Sequence, residues 1–102
     1  MTRDEIIAKL KKTAPALRAE GVTRLAIFGS RARGDAREDS DLDVLIDVDA
    51  KANLRGLALI GIIGGVQRTI EAATGIPTQA EMRQWIEPRF AERIADDLIE
   101  IY

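Results

Sequence analysis

Residues 41–48 alternate strictly between two sets of side chains, and this period of two is the strongest structural constraint in the chain. Successive side chains of a β-strand point to opposite faces of a sheet, so the pattern predicts a strand with one face on the core. The opposite face is predicted to be mostly polar. The apolar set is Leu42, Val44, Ile46 and Val48, and the other set is Asp41, Asp43, Leu45 and Asp47.

Helical and strand patterns surround this segment. Thr2 and Glu5 have the spacing of a capping box, and apolar residues follow at helical spacing. Pro77 indicates a strand start or a sheet edge. The predicted elements are a helix to about residue 20, a strand over 24–28, a helical turn and loop over 31–40, the strand 41–48, a break at 49–53, a helix over 54–74, a weaker strand over 76–82 and a helix from about 87 to 96, with 98–102 closing the chain. The expected fold class is α/β (α+β), one small sheet layered with helices.

The length and charge of the chain limit its possible partners. With 102 residues, one domain over residues 1–102 is expected. The net charge of −2 provides no general attraction to nucleic acid, so direct nucleic-acid binding is not expected. The longest apolar stretch, residues 57–66, is too short to cross a bilayer, and the amino terminus lacks the apolar core of a signal peptide. We therefore expect no membrane association and a cytoplasmic location.

The chain contains neither cysteine nor histidine, which restricts any metal site to oxygen ligands and so to a hard cation such as Mg²⁺ or Mn²⁺. Asp41 and Asp43 lie two residues apart on a predicted strand, so both carboxylates should point the same way. Such a pair can bridge two metal ions about 3.5–4 Å apart, as in phosphoryl transfer. It can equally be a solvated acidic pair. Asp47 shares their parity but lies towards the far strand end, where we expect it to be solvated.

Gly29 and Ser30 follow the predicted strand 24–28 directly. A glycine there lets the backbone turn sharply or approach a ligand, and a serine that opens a helical turn can offer its hydroxyl to a phosphate. The alternative is an ordinary turn in which Ser30 caps the helix. Residues 31–40 separate this Gly-Ser pair from Asp41, so a phosphate-binding turn and an acidic strand would lie on adjacent elements.

These two motifs together resemble a known family. The run Gly29-Ser30-Arg31-Ala32-Arg33-Gly34, followed by Asp39-Ser40-Asp41-Leu42-Asp43, is similar to the nucleotidyltransferase superfamily typified by DNA polymerase β. Within it, the chain most resembles the minimal nucleotidyltransferases, which are paired with HEPN-domain toxins in prokaryotic toxin–antitoxin modules. The resemblance covers nearly the whole chain and implies a small mixed β-sheet covered by helices.

The resemblance also implies an activity and roles for individual residues. Gly29 and Ser30 would contact the triphosphate of ATP, and Asp41 and Asp43 would ligate two Mg²⁺ ions. The acceptor would be a hydroxyl on a HEPN toxin partner, and the modification would make the chain an antitoxin. Arg31 and Arg33 lie where a guanidinium could reach phosphate oxygens, although a solvated loop would also explain them.

The match departs from the family at its third acid. The family has a further carboxylate on the strand after the long helix, and this chain has Gln79 at the expected position. A neutral amide binds magnesium weakly and cannot accept a proton. Glu81 should face the same side, so it is the candidate replacement. The departure leaves two hypotheses open: an active nucleotidyltransferase, or an impaired antitoxin that neutralises its partner by binding alone.

Overall fold

The computed structural model of the chain describes residues 1–49 and 56–102. Residues 50–53 of the predicted break and residues 54 and 55 of the predicted second helix lie outside this part. The described helices are α1 (Arg3–Ala19), α2 (Ser30–Arg33), α3 (Leu57–Thr74) and α4 (Pro88–Ala95), with a 3-10 turn at Arg83–Trp85. The described strands are β1 (Val22–Phe28), β2 (Leu42–Val48), β3 (Thr78–Met82) and β4 (Ile99–Glu100).

The strands form one mixed sheet in the order β3-β2-β1-β4. β1 pairs antiparallel with both β2 and β4, while β2 and β3 run parallel. The predicted fold class is therefore confirmed, and β3 lies at a sheet edge as Pro77 indicated. β4 was not predicted, because two residues are too few to show a strand period.

The first face of the sheet carries the larger core. The apolar set of β2 points towards α1 and α3, whose buried residues include Leu10 and Ile70. The amino terminus of α1 has the predicted capping box, in which Thr2 Oγ1 accepts from the Glu5 amide at 3.2 Å. These contacts join the two long helices to one side of the sheet.

The second face of the sheet is also covered by a helix, although the face of β2 opposite the core was expected to be mostly polar. Ile94 of α4 packs with Ala26, Phe28 and Leu45, and the Phe90 ring meets Phe28 edge-on at 5.7 Å. Leu45 explains the difference, because it is the one apolar residue in the otherwise acidic set of β2. A small apolar area is thus left on that face for α4 to bury.

Asp47 lies at the far end of the second face and is paired, so the expectation that it is merely solvated was wrong. Its carboxylate accepts from Arg83 Nε at 2.7 Å and lies 3.6 Å from Arg24. Glu100 of β4 contacts both arginines, at 2.9 Å and 3.1 Å. This network of four residues joins β1, β2 and β4 to the 3-10 turn after β3, at the end of the sheet opposite the Asp41/Asp43 pair.

In the described parts of the chain, no helix combines the length and apolar character needed to cross a membrane.

Truncating Ile70 to alanine should destabilise the protein by about 3 kcal/mol, because its side chain is fully buried between α3 and the sheet. Ile60→Ala in the same helix is the matched control, since Ile60 is 58% exposed and the change should stay within about 0.5 kcal/mol. Urea unfolding of both variants measures the difference. Equal losses would contradict the assignment of the buried face of α3.

Candidate active site

The Gly-Ser turn and the acidic pair meet because β1 and β2 are neighbours. Phe28, the last residue of β1, lies opposite Asp43 in the antiparallel register. Gly29 follows it with a φ of 76°, and a Cβ built on Gly29 would lie 2.5 Å from Asp43 Oδ2. Glycine is therefore needed at position 29 for its backbone conformation and for the space that the Asp43 carboxylate occupies.

The turn itself is held by backbone hydrogen bonds. The Gly29 carbonyl accepts from the Arg33 amide at 3.0 Å, and the Ser30 carbonyl accepts from Gly34 at 2.9 Å. Gly34 ends α2 in the left-handed conformation, with φ 85°. Gly29 is the N-cap and Ser30 is the first helical residue, so the alternative in which Ser30 caps the helix was wrong.

Asp41 and Asp43 lie on the same strand face, as the alternation predicted. Asp41 precedes β2 and is exposed, whereas Asp43 is half-buried between Phe28 of β1 and Gln79 of β3. The loop that leads to Asp41 is braced by Arg31, which is 9% exposed. Its guanidinium donates to the Ser40 carbonyl at 2.8 Å and to the Glu38 carbonyl at 3.3 Å.

These contacts give Arg31 a supporting role that sequence reasoning missed, since it holds the residue directly before Asp41. Its predicted contact with phosphate stays a prediction. Arg33 differs, because its side chain is 45% exposed and faces two carboxylates. Its guanidinium donates to Asp35 at 3.1 Å and to Asp97 at 3.0 Å. Asp97 was not singled out from the sequence, because nothing in the local pattern links it to a residue of α2.

The register of β3 fixes the two candidates for the third acid. Gln79 pairs with Asp43, and Glu81 pairs with Leu45, which lies two residues beyond Asp43 along β2 and so further from Asp41. Both side chains are exposed, while the alternate residues of β3 are buried. They therefore share the face of Asp43, as predicted, and Gln79 is the nearer neighbour along the ladder.

Comparison with known proteins agrees with this arrangement. Residues 7–101 match the family described as the nucleotidyltransferase domain. The chain belongs to this family.

Relatives of this nucleotidyltransferase domain span almost its full length. It is 28% identical over 102 residues to a protein of Thermococcus cleftensis named protein adenylyltransferase MntA, covering 99% of this chain and 97% of that one. It superposes with a TM-score of 0.77 on a solved structure assigned as a minimal nucleotidyltransferase, at 26% identity and covering 97% of this chain and 95% of that one. A toxin–antitoxin structure with AMP-PNP shares the fold, with a TM-score of 0.65 at 12% identity, and the match covers 90% of this chain and 72% of that one.

The electrostatics of this candidate site centre on Asp43. Burial raises the pKa of its carboxyl, and the nearby negative charges of Asp41 and Glu81 raise it further. The positive charge of Arg33 acts in the opposite direction. Asp41 and Glu81 are thus close enough to repel the Asp43 carboxylate, which makes the surroundings of Asp43 favourable for a cation.

Within residues 1–49 and 56–102, no group of three potential metal-binding side chains converges on one point. Mg²⁺ commonly uses one or two protein carboxylates and takes its remaining ligands from water and substrate phosphates. The pair Asp41 and Asp43 fits that donor set. A cleft of about 480 Å³ is lined by Arg31, Arg33 and Gly34 together with residues at the start of α1, and neither Asp41 nor Asp43 lines it.

Replacing Asp43 by asparagine should raise the melting temperature of the nucleotide-free chain near neutral pH. The pKa of Asp43 in the folded protein lies above its ordinary value, so ionisation costs stability as the pH rises through that raised pKa. The gain from Asp43→Asn should therefore shrink as the pH falls below the raised pKa and the wild-type carboxyl becomes protonated.

Thermal unfolding at a pH of about 7 and about 4 measures this dependence. Asp39→Asn is the control, because Asp39 is an exposed acid in the neighbouring loop and its replacement should change the melting temperature little. A gain from Asp43→Asn that is the same at both pH values would contradict the electrostatic explanation.

Proposed function

We propose that the chain is a magnesium-dependent nucleotidyltransferase that moves AMP from ATP to a hydroxyl of a HEPN toxin partner, and so acts as its antitoxin. The observation that carries this proposal is the contact between the Gly-Ser turn and the acidic strand. Gly29 leaves space for the Asp43 carboxylate, so the proposed phosphate site and metal site share one boundary.

The proposed roles follow from the chemistry of each group. Asp41 and Asp43 would hold two Mg²⁺ ions, which supply positive charge against the triphosphate. Ser30 Oγ and the backbone at Gly29 would contact phosphate oxygens, and Arg33 would donate further hydrogen bonds to them. The raised pKa of Asp43 supports these roles, because it reflects burial of the carboxyl together with the nearby negative charges of Asp41 and Glu81, and a bound cation would relieve that repulsion.

The reaction is an in-line displacement at the α-phosphorus of ATP. The acceptor oxygen forms a bond to that phosphorus, the bond to the β-phosphate oxygen breaks, and pyrophosphate leaves. The hydroxyl proton passes to a carboxylate, for which we propose Glu81. Such transfer depends on positioning and charge neutralisation rather than on covalent help from the protein.

The protein acceptor and the toxin partner are proposed from similarity. The relative of Thermococcus cleftensis is named a protein adenylyltransferase, and it matches this chain nearly end to end. The fold is also that of a toxin–antitoxin structure with AMP-PNP. Together they favour a protein hydroxyl as the acceptor over a small molecule.

A second candidate function is an antitoxin that binds its partner without modifying it. The observation that favours it is Gln79, which lies directly beside Asp43 in the β2–β3 ladder and cannot accept a proton. In that case the chain would neutralise its partner by binding alone, and loss of the Asp41 and Asp43 carboxylates would not weaken that neutralisation.

Incubating the chain with ATP, Mg²⁺ and the proposed HEPN toxin partner should increase the intact mass of the toxin by one or more AMP units. The double variant Asp41→Asn with Asp43→Asn should abolish the gain, because it removes both proposed metal ligands while their exposed or half-buried positions preserve the fold. Ile60→Ala is the control variant and should retain full transfer. A tight complex with no mass change would refute transfer and support the binding-only function.

Replacing Glu81 by glutamine should lower the transfer rate about 100-fold, since the acceptor hydroxyl would lose its proton acceptor. ATP affinity should stay nearly unchanged, because Asp41 and Asp43 would still hold the metal-bound triphosphate. The comparison variant is Gln79→Asp, which places an acid directly beside Asp43. If Gln79→Asp raises the rate and Glu81→Gln leaves it unchanged, Glu81 is not the third acid. Single-turnover kinetics measure the transfer rate and calorimetry measures the affinity for ATP, so that a loss in rate is separated from a loss in binding.

A further inference from the structure

The guanidinium of Arg33 is held by two carboxylates of different kinds. Asp35 is a local partner in the adjacent loop, and its side chain is 62% exposed. Asp97 lies 64 residues further along the chain, and its side chain is 23% exposed. The less exposed contact is the less screened by solvent and salt, so Asp97 should hold the guanidinium more firmly than Asp35 does.

Asp97 is itself anchored to the sheet. Its amide donates to the Ile94 carbonyl at 3.0 Å, which fixes it in the turn that follows α4. Ile94 is 8% exposed and packs against Phe28 and Leu45. Phe28 in turn lies opposite Asp43. The Asp97 carboxylate therefore has a defined position relative to the acidic end of the second face.

Among the described residues, Arg33 is also a cation whose charge acts on Asp43. Its charge opposes the effects of Asp41 and Glu81 on Asp43. A guanidinium has five N–H donors, and within the described residues one hydrogen bond to Asp35 and one to Asp97 are formed. The remaining donors can bind a ligand without breaking either contact. The neighbouring Arg31, in contrast, is directed to the carbonyls of its own loop.

We infer that Asp97 is a positioning residue, which holds the Arg33 guanidinium beside the Asp41/Asp43 pair so that it can bind the triphosphate. This inference rests on the proposed function. An arginine that is ordered before the nucleotide arrives loses less side-chain entropy on binding, so its hydrogen bonds contribute more to affinity. A purely structural ion pair between α2 and the end of α4 would instead affect stability alone.

A double-mutant cycle distinguishes these two roles. The dissociation constant of AMP-PNP in the presence of Mg²⁺ is measured by calorimetry for the wild-type chain, Asp97→Asn, Arg33→Ala and the double variant. Asp97→Asn should weaken binding about fivefold in the wild-type background. In the Arg33→Ala background it should have no further effect, because the group that it positions is gone.

Two further variants serve as controls. Asp97→Glu keeps the carboxylate and should restore most of the affinity lost in Asp97→Asn. Glu100→Gln breaks ion pairs at the opposite end of the same sheet face and should leave AMP-PNP affinity unchanged. Circular dichroism establishes that each variant is folded under the conditions of the titration.

The possible results separate this inference from the proposed function. If the wild-type chain binds AMP-PNP and Asp97→Asn binds it equally well, the positioning role is refuted and the proposed function stands. An additive loss in the double variant would also refute it, since Asp97 would then act independently of Arg33. If the wild-type chain does not bind AMP-PNP with Mg²⁺, the proposed function fails, and the positioning role that rests on it fails as well.

Discussion

The antiparallel pairing of β1 with β2 places Phe28 opposite Asp43, and the arrangement of the site depends on this register. The turn at Gly29 therefore lies beside the acidic strand. The Asp43 carboxylate occupies the space that a side chain at position 29 would need. A slip of one residue would turn the apolar set of β2 towards the second face and the acids into the core. Burial of that apolar set under α1 and α3 therefore also orients Asp41 and Asp43.

The second face of the sheet combines three environments along a short distance. Acidic side chains lie at one end, an apolar patch under α4 lies in the middle, and a network of ion pairs lies at the other end. The apolar patch has an electrostatic consequence, because Phe28 and its neighbours help to bury Asp43 and so raise the pKa of its carboxyl. The charge of Arg33 offsets the repulsion of Asp43 by Asp41 and Glu81 only in part, so a bound cation would stabilise this end of the face further.

The two arginines of α2 are close in sequence and have different surroundings. Arg31 is buried and supports the loop before Asp41, whereas Arg33 is half-exposed and joins α2 to the end of α4. The two residues are separated by a rotation of about 200° around the axis of α2, so their side chains leave the helix on opposite sides. Both contribute to the geometry around the acids, Arg31 through backbone carbonyls and Arg33 through carboxylates.

The sequence by itself determined the helices, the three longer strands and their faces, because local periodicity sets which side chains of a strand or helix lie together. The alternation over residues 41–48 was sufficient to predict that Asp41 and Asp43 share a face, and Gly29 with Ser30 marked the turn. The tertiary structure decided the contacts between distant segments: the register that sets Gln79 rather than Glu81 beside Asp43, the packing of α4 on Leu45, and the Arg33–Asp97 pair. These contacts depend on how separate elements pack against each other, and the free energy of that packing is not encoded in the spacing of residues within any one element.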